Sequence, residues 1–245
     1  MRKSLAAIVA VPTVLVMATV ALAQNPAPKI DVTASVSPTK AGTKKKPQSE
    51  KVNLLIVNSA ESKTSASKIE ITFPATIKLS TKGLKTCSVA TLDSQGKAAC
   101  PSGSKAGSGT AAALVNPSSA NPAPLNFDVT TYVAGKNLLA FYLQQQGTDS
   151  GVQQALPAKI TKAGSGQKLT INIPENLQQP APGVYSALQQ IKNSLSLKSG
   201  KNALVTSVGC AKKKHKIGVK ISDVPNPNPP SASSASDSSN AKCSK

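Results

Sequence analysis

Along most of this 245-residue chain, apolar and polar positions alternate one by one. Ile30, Val32, Ala34 and Val36 interleave with Asp31, Thr33, Ser35 and Ser37, the period of two that marks a strand with one buried side. Ile69, Ile71 and Phe73 repeat the pattern up to Pro74, and Ile217, Val219 and Ile221 repeat it against Lys216, Lys220 and Ser222. Val52–Val57 is apolar at nearly every position, as a strand covered on both sides would be. Further strand-like runs are Thr110–Val115, Leu125–Val133, Leu138–Leu143, Leu156–Lys162, Leu169–Ile173 and Ala203–Val208. Several are joined by glycine-containing turns (AGKN at 134–137, AGSG at 163–166, SGKN at 199–202), where glycine supplies the positive φ of tight hairpins. Val184, Leu188, Ile191 and Leu195 instead fit helical spacing, so helix competes with strand there. About eleven short strands with little helix predict an all-β fold, an antiparallel Ig-like β-sandwich.

The pattern breaks in three places. Asn116–Pro124 (NPSSANPAP) reads as a linker, so residues 24–224 form either one sandwich or two Ig-sized halves meeting there. Pro225–Ser239 is proline- and serine-rich and too polar to pack, which predicts a disordered, low-complexity tail over 225–245. At the front, Arg2 and Lys3 precede an uncharged apolar run from Leu5 to Val20 and an Ala21-Leu22-Ala23 cleavage pattern. That is a secretory leader over residues 1–23, with no membrane span expected once it is removed. No cysteine follows Ala23 and no LPxTG motif is present, so no covalent tether to the envelope is expected.

Charge changes the picture most. The formal net charge is +19, from 29 basic against 10 acidic residues. Arg2 is the only arginine, so a cleaved chain would carry its side-chain cations as lysine. Lysine is a hydrated point charge without arginine's planar fork, which disfavours sequence-specific nucleic-acid readout and favours salt-sensitive adhesion to anionic polymers. The candidate contacts are Lys44, Lys45 and Lys46 in one loop and Lys212, Lys213, Lys214 and Lys216 in another. Phe73, Phe127, Phe141, Tyr132, Tyr142 and Tyr185 are the only aromatics, and most fall inside strands, leaving little for a base- or sugar-stacking platform.

Cys87, Cys100, Cys210 and Cys243 form an even set in an exported chain, which favours disulfides. The close spacing suggests Cys87–Cys100, leaving Cys210–Cys243 to tie the tail to the body. Zinc is disfavoured, because there is no CxxC and only one histidine.

Together, the SPTKAG turn at Ser37–Gly42, Phe73-Pro74, Cys87 and the run Cys100-Pro101-Ser102-Gly103-Ser104-Lys105-Ala106-Gly107-Ser108-Gly109 form a recognisable set, with Cys210 ahead of the last strand. It resembles a group of secreted actinobacterial proteins with an Ig-like β-sandwich and no established activity. The resemblance implies fold and export and carries no site residues.

Candidate chemistry is thin. His215 sits within KKKHK, where neighbouring cations would depress its pKa and a solvated loop position is expected. Ser-x-x-Lys recurs six times, and Lys198-Ser199-Gly200 echoes a motif of penicillin-recognising enzymes without their helical domain. Gly103, Gly107 and Gly109 lack the lysine and helix of a phosphate loop and read as a loop held near the sheet. The acids show no calcium-loop spacing and no glycosidase pair. The expectation is a non-enzymatic extracellular protein without cofactor, loosely held at the cell surface by an anionic envelope polymer or by another surface protein. A protein-interaction module without polyanion binding is the alternative, and an enzyme of unfamiliar type comes third.

Overall fold

A computed structural model describes residues 29–58, 64–148, 151–224 and 233–245; the leader expected over residues 1–23 lies outside them. In chain order the strands are β1 (Ile30–Ser37), β2 (Gln48–Ser49), β3 (Lys51–Asn58), β4 (Ser65–Phe73), β5 (Ile77–Leu79), β6 (Lys105–Val115), β7 (Ala123–Gly135), β8 (Leu138–Gln145), β9 (Gln153–Ala163) and β10 (Gly166–Asn172). There follow β11 (Ser186–Leu195), β12 (Lys198–Ser199), β13 (Asn202–Ala203), β14 (Val205–Ser207), β15 (Lys214–Val224) and β16 (Ser233–Lys242). Two short helices interrupt them, α1 (Val89–Gln95) and α2 (Glu175–Gln178).

Eleven strands hydrogen-bond in one unbroken antiparallel series, β1-β3-β11-β6-β7-β8-β9-β10-β4-β15-β16. The two separate facing sheets expected from the sequence are replaced by a single sheet curled into a nearly closed ring. A period of two reports one buried face, and that face is buried equally well against a second sheet or against the far wall of a ring. The ambiguous 184–195 stretch is strand β11, paired on both sides. Residues 116–122 form the turn of the β6–β7 hairpin within the same sheet. Gly107 and Gly109, expected in a loop, lie within β6; a Cβ at either would collide with the carbonyl oxygen of Ser194 or Lys192, so β6 reaches β11 only because they are glycine.

The ring closes where β1 meets β16. Of the tail expected to be disordered over 225–245, residues 225–232 lie outside the described residues, and Ser233–Lys242 is strand β16, which pairs with β15 over ten residues. Across the seam the Val32 amide donates to Asp237 Oδ2 at 2.8 Å and the Ala34 amide to Ser239 Oγ at 2.9 Å. Below these rungs the backbone takes over: Ala41 N donates to Ser244 O and Ser244 N to Thr39 O.

The two ends of the ring differ. At the base, the β7–β8 and β9–β10 turns meet a small cap of β2, β14 and β5, and Ile77, Leu79, Val133, Leu139, Leu169, Leu204 and Val205 are fully buried. At the mouth, α2 packs against an interior that is lined by half-buried Leu125, Val152, Ile173, Leu177, Leu188 and Ile191. A second apolar cluster lies outside the ring, where Leu92 of α1 covers Tyr132, Ala140, Tyr142 and Ala155. Ser88 caps α1 by accepting from Thr91 N at 3.0 Å, and Cys87–Cys100 brackets the segment.

Candidate functional site

The lysine clusters singled out in the sequence meet at the base. Lys44–Lys46 lie in the loop after β1, and Lys212–Lys214 in the turn leading into β15. The chain's last residues run between them: the Lys40 and Ser244 strands bridge in parallel, Cys243 N donates to Lys213 O at 3.0 Å, and Lys214 pairs with Lys242. The Cys210–Cys243 disulfide, with Cα atoms 5.9 Å apart, locks this three-segment ribbon. Cys87–Cys100 is formed as well, so all four cysteines are paired as the sequence suggested.

Exposed Lys40, Lys44, Lys45, Lys46, Lys212, Lys213, Lys214, Lys242 and Lys245 are thereby collected at one end of the ring. Lys216 continues the cluster up the outer face of β15. Lys40, Lys242 and Lys245 were not among the sequence candidates. The available signal was the suggested Cys210–Cys243 pairing, which brings the lysines around Cys243 to those following Cys210.

Among the described residues, no ion pair involves a lysine of the cluster. Among the described residues the only ion pair is Lys168–Glu70 at 2.6 Å, on the outer face of β10 and β4. The only described acid at the base is Glu50, which is 2 % exposed. Burial pushes its carboxyl up to about 7, against an opposing contact with Ser207. The Ser207 hydroxyl donates to Gly209 O at 3.1 Å, and neither Glu50 oxygen has a hydrogen-bond partner. With a carboxyl raised to about 7, Glu50 is protonated in mild acid and only partly ionised at neutral pH, so it adds less negative charge beneath the lysines than an ordinary glutamate.

Two lysines hold an unusual backbone. Ala211 and Lys214 bridge across a two-residue turn whose central residues, Lys212 and Lys213, both have positive φ, 51° and 59°. Hairpins of this kind favour Asn-Gly, and a lysine at either position costs of order 1 kcal/mol. The turn thus presents two lysines at its tip at the expense of stability.

His215 is not in a solvated loop. It is fully buried in β15, with Nδ1 2.8 Å from Thr76 Oγ1 and Nε2 unpartnered. Burial lowers its pKa, so the ring is neutral and closed off from any substrate. Lys198-Ser199-Gly200 lies at an exposed hairpin, and among the described residues no group of three acids, histidines or cysteines is placed to hold a metal ion. No described helix is long and apolar enough to cross a membrane.

From the base, an open groove of about 500 Å³ runs up the outer face of β1, β3, β11 and β6. Thr33, Ser35, Asn53 and Thr110 line it with Lys51, Lys192 and the apolar Leu54 and Leu55. Hydroxyl and amide side chains beside two cations suit a hydroxyl-bearing anionic polymer. Compared with known proteins, the chain matches no family model, no curated sequence and no solved structure.

Proposed function

We propose that this protein is exported, is not an enzyme, and attaches to an anionic, hydroxyl-bearing polymer of the cell envelope through its lysine-rich base. The observation that carries this reading is the convergence of nine exposed lysines from three distant segments at an end with no exposed acid among the described residues. Lysines used only for solubility need no such gathering, since like charges held together repel. The strained Lys212-Lys213 turn supports the same reading, because strain retained at a charged tip points to use of that tip.

Co-sedimentation of the mature chain with purified anionic envelope polymer tests the proposal. Raising ionic strength from about 0.1 M to about 1 M shortens the screening length from ~10 Å to ~3 Å and is expected to release the protein. Replacing Lys44, Lys45 and Lys46 with Gln should weaken binding several-fold, while the same replacement at Lys29, Lys68 and Lys97, away from the base, should change it little. Equal losses from the two triple variants would show that net charge, not the base, does the binding; retention at high salt would overturn the electrostatic account.

A further inference from the structure

The axis of the ring is not filled. An apolar cavity of about 130 Å³ runs from Leu177 and Pro180 at the mouth down to Phe73, Leu195 and Ile217 above the sealed base. For comparison, an engineered apolar cavity of ~150 Å³ stays dry and takes up benzene. Here the space is drawn out: both Ser186 and Leu195, the two ends of the ten-residue β11, line it, about 30 Å of strand apart. So small a volume spread over such a length is a bore one chain wide. Its width comes from the small residues Ala111 and Ala113 on β6.

The polar side chains that line the bore are few and uncharged, namely Asn176, Ser186 and Asn193, while Asp223 and Glu175 near the mouth lie outside the lining. Within the bore, Asn193 is 7 % exposed; its Oδ1 accepts from Thr131 Oγ1 at 3.3 Å and its Nδ2 has no partner. At the mouth, Asn176 donates to Gln154 Oε1 at 3.0 Å and Gln178 to Ile173 O at 2.6 Å, giving an amide rim. Lys29 and Lys68 lie toward the mouth end, but neither is part of the lining, which among the described residues holds no charged side chain.

From this geometry we infer that the bore binds one acyl chain of a lipid with an uncharged, hydrogen-bonding head. The chain lies against Leu54, Phe127, Leu143 and Ile191, and the head stays at the amide rim. The apolar residues left half-exposed around the mouth form the entry path. This inference is independent of the polymer-binding base, because the two sites lie at opposite ends and differ in chemistry.

Thermal melting of the full mature chain with monodecanoylglycerol and monomyristoylglycerol, paired with native mass spectrometry, tests it. One lipid per chain is expected, with a rise in Tm of about 5–10 °C at a hundredfold excess over Kd. Ala111→Phe and Ala113→Leu fill the bore and should abolish that rise without lowering the Tm of the free protein. No bound lipid and no shift with either probe overturns the proposal whatever the variants do, as does an undiminished shift in folded Ala111→Phe. A larger shift with myristate than with monomyristoylglycerol overturns the uncharged-head assignment.

Discussion

At the scale of single residues, the backbone of Lys212 and Lys213 is the most testable feature. Both occupy the left-handed region, where a side chain beyond glycine or asparagine costs roughly 1 kcal/mol or more. Lys212→Asn with Lys213→Gly supplies the residues such a turn favours and should raise unfolding free energy by about 1–2 kcal/mol while weakening attachment to the polymer. The Lys212→Gln, Lys213→Gln pair removes the same charge without relieving the backbone and should weaken attachment equally with less gain in stability. Equal stability of the two doubles in urea titration would remove the argument from strain. Residue identity was only partly legible here. His215 shares parity with Ile217, Val219 and Ile221, so the alternation already placed it inward, but the surrounding KKK_K run suggested a loop. Charge runs report solvent for their own members and say little about the opposite parity.

At the scale of elements, β16 shows what local pattern leaves out. Its sequence, SSASDSSNAK, lacks β-branched and aromatic residues and carries no strand signal. It is a strand because β15 offers a free edge, because Ala235 and Ala241 are small enough to face inward, and because Cys243 is tied to Cys210. Strands β1, β4 and β15 were legible because each buries one face; β16 depends on pairing partners more than 200 residues away in the case of Val32 and Ala34. The disulfide has a sequence separation of 33, for which the chain-entropy model gives roughly 3–4 kcal/mol. The Cys210→Ser, Cys243→Ser double variant should lose about that much stability. Amide exchange at Val32 and Ala34 should then rise before exchange in β8 or β9, and polymer binding should weaken as the three lysine segments separate. Uniform exchange across the ring would mean that the seam is no weaker than the other strand pairs.

At the scale of the whole molecule, the sequence contained the lysines, the cysteines and most of the strands, but not how the sheet closes. Ring closure is a long-range property, and with it come the unfilled axis and the collection of charge at the base. The same closure buries one carboxylate near each end, Glu50 at the base and Asp223 beside Ser65 at the mouth, 2 % and 3 % exposed. Burial pushes Glu50 up to about 7 from 4.5, opposed by Ser207, and Asp223 up to about 6 from 3.8, opposed by Thr64. An unfolded chain releases both protons at the lower values. Between about pH 4 and 7 the native state therefore holds more protons than the unfolded one, and these two groups make stability fall as pH rises, levelling off above the native values. His215 acts in the opposite sense, since its lowered pKa makes the unfolded chain the better proton binder as pH falls below 6.5. Glu50→Gln separates the contributions. At about 1.4 kcal/mol per pKa unit, it should leave stability unchanged near pH 4 and raise it by about 3 kcal/mol near pH 8, read by urea unfolding. A gain of the same size at both pH values would trace the effect to packing and not to a buried charge. A loss near pH 8 would mean that ionised Glu50 is held by the lysines around it, coupling the base's charge to the stability of the ring.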